Sequence, residues 1–298
     1  MSLKFYNTIS RKKEDFKPIK QDSVGMYTCG PTVYGFAHIG NFRAYMFEDL
    51  LRRYLKFKGY KVTQVMNLTD VDDKTIRNSI SEGKTLNDYT KPFKNAFFED
   101  MQTLGIEKAE VYPAATDHIQ EMVALIKTLI EKGIAYKGED GTWYFSISKF
   151  ADYGKLANMN PEDLRVCVRI SQDEYEKDEA RDFALWKAWS PEDGDVYWET
   201  ELGKGRPGWH IECSAMSMKY LGNHFDIHTG GVDNMFPHHE NEIAQAEAAT
   251  GEKFVDYWML CDHLIVEGEK MAKSLGNFFT LRDILDKGYH PMAVRYLL

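Results

Sequence analysis

Residues 34–41, YGFAHIGN, place an imidazole between small residues where an apolar run begins. A helix start of that kind offers unpaired backbone N–H groups and a partial positive charge, which suit a phosphate. His38 and Asn41 would then contact the phosphates, with Gly40 letting the backbone come close. A lone HxG motif does not by itself separate this from an ordinary turn. GEKMAKS, at 268–274, sets Lys270 and Lys273 three apart between glycines and a serine. Two point charges on a mobile loop can follow a leaving pyrophosphate as charge develops; taken alone they read as a solvated basic turn. A third group is metal-like. His238 and Glu242, in PHHENE, are four apart and leave one helix face. With Cys213 of GWHIECSAM and Cys29 of MYTCGP they make two thiolates, an imidazole and a carboxylate, a tetrahedral Zn²⁺ set. No pair has a CxxC spacing, so a helix-surface ion pair and two buried thiols remain the alternative. His239 is an equally good ligand by type, and only the helix geometry with Glu242 favours His238. Cys167 and Cys261 read as core or surface thiols.

These groups need elements to hold them. SVGMYTC (23–29) reads as a strand, the pattern from Phe42 is helical (Phe47, Leu50, Leu51, Tyr54, Leu55), and Gly59 stops it. KVTQVMNL (61–68) is a second strand. Strand, helix and strand in this order form a βαβ unit and hence a parallel sheet, with its site at the carboxyl ends of the strands. His38, Asn41 and TDVDDK (69–74) all fall at that end. Residues 83–133 look helical, with Asp117 and Gln120 suiting a capping box before Val123, Ile126 and Ile130. TWYFSI (142–147) reads as a hairpin strand. A charge-dense stretch (173–182) and the aromatic FALWKAW (183–189) follow. FDIHTGGVDN (225–234) is a strand entering a Gly-rich turn, and a helix runs from about Pro237 to Ala249. The expected division is 1–111 as the first half of the catalytic domain, 112–205 as an insertion with its own structure, and 206–298 as the second half.

The chain has 298 residues with 43% apolar and 13% aromatic content, enough for a large buried core. No apolar run reaches membrane-span length and the start lacks a signal-peptide core, so a cytoplasmic protein without a membrane partner is expected. A net charge of −9 argues against a basic nucleic-acid-coating surface, though not against a local patch such as Arg52, Arg53, Lys56, Lys58 and Lys61.

HIGN and KMAKS resemble the paired signature of the class I aminoacyl-tRNA synthetases, HIGH and KMSKS, with Asn41 and Ala272 as departures. CGPTVYGFAHIGN, NLTDVDDK, DFALWK, GKGRPGWHIECSAM, FPHHENEIAQ and EGEKMAKSLGN resemble the cysteinyl-tRNA synthetase family almost phrase for phrase, in the family's order. The resemblance implies an α/β fold, a Rossmann-like (HUP-type) parallel sheet with a connective insertion, and a catalytic portion lacking the family's anticodon-binding domain. It implies that Cys29, Cys213, His238 and Glu242 hold one Zn²⁺ that grips the substrate thiol. Gly30, Thr69, Trp209 and His210 would line the cysteine pocket. Gly230, Gly231 and Asp233 would form the GGxD turn on ATP, with Thr229 and Asn234 departing from the family's usual neighbours. The implied partners are Mg²⁺-ATP, L-cysteine and tRNA(Cys), acting on a monomer. Two rival readings are a cysteine-activating ligase with a small amine acceptor, of the mycothiol amino-sugar type, and a non-enzymatic zinc or nucleotide-binding module.

Overall fold

The computed structural model describes residues 2–159, 182–266, 268–271 and 277–298, with only the backbone of 269 and 270. Cys167, Lys273 and most of the charge-dense stretch lie outside the described residues.

A hairpin, β1 (Lys4–Asn7) and β2 (Lys12–Asp15), precedes the first βαβ unit. That unit is β3 (Ser23–Thr28), α1 (Ile39–Phe57) and β4 (Lys61–Met66), with β3 and β4 parallel and in register from Ser23–Lys61 to Thr28–Met66. The predicted helical stretch 83–133 is broken. It follows α2 (Asp73–Ser81) and holds α3 (Leu86–Thr103) and α4 (Ile119–Glu131), separated by an irregular segment. The capping box expected at Asp117 and Gln120 does not form. His118 is the N-cap instead, and its ring is spent on Ala114 O (2.7 Å) and Tyr220 Oη (2.8 Å). The segment before it runs beside β4, with bridges Val65–Val111 and Leu68–Ala114, so sheet pairing overrides the local helical pattern.

Residues 135–207 carry an antiparallel sheet of β5 (Ala135–Lys137), β6 (Trp143–Phe145), β7 (Phe183–Ala188), β8 (Trp198–Thr200) and β9 (Gly203–Pro207), in the order β5-β6-β7-β9-β8. Charge ties this sheet to the end of the parallel one. Lys187 (2.8 Å) and Arg206 both pair with Asp73 at the start of α2, and Arg206 Nε also bonds Asp193 (2.9 Å).

The chain returns through α5 (Trp209–Leu221), β10 (Phe225–Gly231), α6 (Glu240–Thr250) and β11 (Val255–Cys261). The central sheet is parallel throughout, in the order β11-β10-β3-β4. From the neighbouring strands β3 and β10 the crossovers leave in opposite directions, so a crevice opens between their carboxyl ends, the usual place for a ligand. Side-chain alternation sorts the two faces. Met26 and Ile227 pack with Leu51 and Leu55 of α1, whereas Tyr27 and Val65 pack with Ile211 and Met216 of α5. The remaining elements are β12 (Ile265–Val266), β13 (Glu269–Lys270), α7 (Leu281–Asp286) and α8 (Pro291–Leu297).

The apolar stripe read along α1 is only half buried. Leu51 and Leu55 are in the core, but Leu50 is 66% and Tyr54 44% exposed, while Glu48, Asp49 and Arg52 are buried. The helix docks through compensated charge as well as through apolar area. Arg52 bonds Glu110 through two nitrogens (2.6 and 3.0 Å) and reaches Gln64 Oε1 (3.0 Å), and Asp49 accepts from Arg53 (2.9 Å) and Arg295 (2.5 Å). Arg52, Arg53 and Lys56 all pair with Glu107. Most of the basic cluster is therefore spent within the fold.

Asp100 on α3 pairs with Arg282 of α7 at 3.3 Å, yet burial wins and pushes its pKa up to about 6. The folded protein thus holds this proton more tightly than the unfolded chain. The stability this group contributes is full below its unfolded value and is lost as pH rises through about 6. The gap corresponds to at most about 3 kcal/mol, and about 1 kcal/mol after allowance for solvent screening of a half-buried group. Asp100→Asn is expected to melt about 2 °C higher than the parent at pH 8, with the gain vanishing near pH 4. Scanning calorimetry at the two pH values checks the sign.

Candidate active site and metal centre

The turn after β3 is built around α1. His38 is the N-cap: its Nδ1 accepts from the Asn41 N–H (3.2 Å), and Asn41 Oδ1 accepts from the His38 N–H (3.1 Å). Asn41, a departure from the family's histidine, thus completes a reciprocal capping box. Because Nδ1 accepts, the neutral ring carries its proton on Nε2. The helix end is then a positive dipole terminus with an N–H-bearing imidazole beside it.

The far end of the chain meets this turn. Ile39 N–H donates to Phe279 O (2.9 Å), His38 bridges Thr280, and the Phe278 ring stands edge-on to His38 at 5.1 Å. Met271, from the middle of the lysine motif, is buried over Gly40, where an added Cβ would come within 2.6 Å of its Cε. Gly40 therefore seats Met271. The two motifs, about 230 residues apart, touch through Met271 and the 278–280 flank. The Lys270 side chain and Lys273 lie outside the described residues.

Beside the turn, the crevice between β3 and β10 holds the sulfur and imidazole groups. Cys29 leaves β3 with its N–H on Thr229 O of β10 (3.3 Å). Cys213 sits on α5, and His238 and Glu242 lie at the entry to and on α6. The helix expected from Pro237 starts instead as a wide turn, Met235–His239, with regular α6 beginning at Glu240. One ligand atom from each of Cys29, Cys213, His238 and Glu242 lies within 4.8 Å of all the others, and all four residues are buried. His238 Nε2 is 3.2 Å from Glu242 Oε1.

The residues around them fix their states. His210 Nδ1 is 2.8 Å from His238 Nδ1, on the ring side away from Glu242, and the Trp209 ring stacks on the His238 face at 4.3 Å, so both orient that imidazole. Burial holds His210, His238 and His239 below the usual histidine range, as the neutral rings that bind metals. A hydrogen bond between the thiols, followed by burial, pushes Cys29 up, and the same bond draws Cys213 down. Burial raises Glu242, partly offset by His228. Among the described residues, Glu242 Oε1 and His239 Nδ1 are buried with no hydrogen-bond partner. Soft and borderline donors converging around such orphaned atoms fit Zn²⁺.

Gly30 and Thr69 line the crevice wall. Gly30 N–H donates to Asn67 Oδ1 (2.9 Å), Asn67 Nδ2 donates to Thr69 Oγ1 (3.1 Å), and a Cβ on Gly30 would fall 1.8 Å from Asn67 O. Only glycine lets these two strand ends cross so closely. Thr69 is buried, whereas Trp209 is 43% exposed at the rim. The GGxD glycines have internal reasons for lacking a side chain. A Cβ on Gly230 would meet the His239 ring at 2.9 Å, and one on Gly231 would meet Asp233 Oδ1 at 2.4 Å. Asp233 is exposed, with His263 Nδ1 3.9 Å away.

Sequence reasoning passed over three buried polar groups here, His228, Glu48 and Glu212, and placed a fourth, Asp70, only as part of TDVDDK. His228 Nε2 lies 2.9 Å from Glu242 Oε2. Glu48 on α1 accepts from Thr229 Oγ1 (3.0 Å), and burial raises its pKa well above the carboxylate range. Burial does the same to Glu212, beside Thr69 and Cys213. Asp70 accepts from Lys94 (2.5 Å) and Thr116 Oγ1 (2.8 Å). A histidine inside the strand FDIHTGG was the one visible signal, since a buried polar side chain there needs a partner.

A parallel sheet with a histidine-capped helix at its switch point, met by the flanks of a two-lysine motif, defines the nucleotide-binding core of a class I aminoacyl-tRNA synthetase. The match to known sequences is narrower. Residues 15–298 match the model of the tRNA synthetases class I (C) catalytic domain, and the chain belongs to that family. It is 65% identical over 296 residues to the cysteine–tRNA ligase of Brachyspira hyodysenteriae, covering 99% of this chain and 62% of that one. It is 59% identical over 299 residues to that of Protochlamydia amoebophila, covering 99% and 63%. The chain thus spans a little over three fifths of the length of these relatives. Among solved structures, a Mycobacterium tuberculosis methionyl-tRNA synthetase in complex with methionyl-adenylate superposes with a TM-score of 0.70 at 16% identity, covering 93% of this chain and 64% of that one. That likeness is one of fold.

Proposed function

We propose that this chain is the catalytic part of a cysteine–tRNA ligase, which joins L-cysteine to ATP as cysteinyl-adenylate and passes the cysteinyl group to the 3′ end of tRNA(Cys). The observation that carries the reading is the convergence of Cys29, Cys213, His238 and Glu242 beside the His38-capped start of α1. The substrate carboxylate attacks the α-phosphate of Mg²⁺-ATP and pyrophosphate leaves. His38 Nε2–H and the α1 N-terminus hold the phosphates, and Lys270 and Lys273 neutralise charge on the departing pyrophosphate. Gly230, Gly231 and Asp233 shape the ribose side. Gly30, Thr69, Trp209 and His210 enclose the amino acid, and Trp209 and His210 also keep His238 turned towards Glu242. When bound to Cys29, Cys213, His238 and Glu242, a Zn²⁺ ion supplies a soft Lewis acid that prefers a thiolate to a serine hydroxyl. We place the work of a monomer in the cytoplasm; no helix among the described residues is long and apolar enough to cross a membrane.

Cysteine-dependent exchange of labelled pyrophosphate into ATP tests the reading, and its absence ends it. Lys273→Ala is expected to slow that exchange by roughly 10²–10³-fold with little change in cysteine affinity. Charging of tRNA(Cys) against an amino-sugar acceptor then separates a synthetase from an amine ligase.

A further inference from the structure

Behind the outer donors lies a second set. Cys29 and Glu242 also converge with His228 and His239, one ligand atom from each of the four within 4.8 Å of the rest and all four residues buried. His239 Nε2 is 3.4 Å from Cys29 Sγ, and His228 Nε2 is 2.9 Å from Glu242 Oε2. Both rings are fixed from behind: His228 stacks on Trp258 at 4.4 Å and lies edge-on to Tyr27 at 5.1 Å, and His239 lies 5.2 Å from Trp258. Gly230 gives way to the His239 ring, since a Cβ there would be 2.9 Å from its Cε1.

Plain hydrogen bonding does not exhaust these histidines. His239 Nδ1 is buried without a hydrogen-bond partner among the described residues. Each His228 nitrogen faces an oxygen, Nδ1 the Thr229 carbonyl at 3.2 Å and Nε2 the Glu242 carboxylate. The Nε2 edge of His228 thus faces the carboxylate that both donor sets share, on the same side as Cys29 and His239.

We propose that Cys29, His228, His239 and Glu242 form an inner metal position overlapping the outer one, so that a single divalent ion of Zn²⁺ softness has an imidazole-rich alternative to its thiolate-rich set. The proposal rests on reading the outer cluster as a metal site. With two ligands common to both sets, only one ion fits at a time. The outer set offers two sulfurs, one nitrogen and one oxygen; the inner offers one sulfur, two nitrogens and one oxygen. An ion deprived of Cys213 or His238 moves inward and is retained.

Zinc content after dialysis and zinc X-ray absorption, on the whole chain, test this without recourse to activity. The parent is expected to hold one zinc with a two-sulfur shell, and His239→Gln to look the same. Cys213→Ala, and separately His238→Ala, are expected to stay folded and keep one zinc, with the Cys213→Ala shell changing to one sulfur and two imidazoles. Adding His239→Gln to either is expected to weaken zinc binding by roughly 10- to 100-fold. Equal affinity with and without His239 overturns the inner position, as does loss of zinc or of folding in both outer-set variants. A parent that binds no zinc defeats the metal reading itself.

Discussion

His38→Asn is expected to leave the melting temperature nearly unchanged while lowering cysteine-dependent pyrophosphate exchange by roughly 10²–10³-fold. The two roles of His38 separate because different atoms carry them. The cap uses an acceptor aimed at the Asn41 N–H, and asparagine is among the best N-cap residues, so α1 keeps its start. The proposed phosphate contact uses the Nε2–H on the far side of the ring, which asparagine, shorter and already engaged at the cap, does not reproduce. His38→Ala provides the contrast. It is expected to lose the chemistry and also about 1 kcal/mol of cap stability. Exchange kinetics with thermal melts of the three proteins check this, together with an unchanged KM for cysteine, because the residues proposed to grip the thiol are Cys29 and those of α5 and α6 rather than His38. A His38→Asn variant that exchanges pyrophosphate at the parental rate removes His38 from the phosphate site.

Glu242→Ala is expected to have the broadest consequence. The carboxylate is fully buried and touches His228 at 2.9 Å and His238 at 3.2 Å. Its loss removes a proposed metal ligand and leaves both imidazoles facing a void. Zinc content should fall below about a tenth of an ion per chain, on the order expected when a buried ligand common to every available set is removed. Without a thiophilic ion, the pocket must tell sulfur from oxygen by shape and hydrogen bonding. A difference that small is worth about 10²-fold at most. The variant is therefore expected to activate serine within roughly 10²-fold of cysteine, and the parent to discriminate more strongly than that. Exchange assays with both amino acids, beside metal analysis, read this directly. Retained zinc with unchanged preference would place selectivity elsewhere. The contrast with Cys213→Ala is informative, since Glu242 and Cys29 belong to both donor sets and Cys213 to one.

The local elements were largely written in the sequence. The βαβ unit at 23–66, the helix start at YGFAHIGN and the strand entering TGG follow from periodicity and from glycine and N-cap chemistry, which act over a few residues. The parallel sheet and its class I neighbours agree with the α/β reading. Failures came where a long-range partner outweighed the local pattern. Helicity read through 83–133 gave way between α3 and α4 because that segment lies alongside β4. On α1, Glu48, Asp49 and Arg52 went inside and Leu50 stayed out, because compensating charges came from residues 107–110 and from α8, and a hydroxyl donor from Thr229.

Sequence alone determined the chemical inventory: an imidazole at a helix start, two lysines on one loop, and thiols, imidazoles and carboxylates enough for a soft metal. Tertiary structure decided which of these share a space. It brought Cys29 from the end of β3, Cys213 from α5, and His238 and Glu242 from the region of α6 to one crevice, a convergence that no spacing encodes. It also set the His239 ring against Cys29 and the Gly230 turn, and gave Gly40 and Gly230 their reasons in Met271 and the His239 ring. The physical reason is range. Capping and periodicity are set by neighbours along the chain, whereas a donor set depends on where strand ends meet, and that is fixed only when the whole sheet packs.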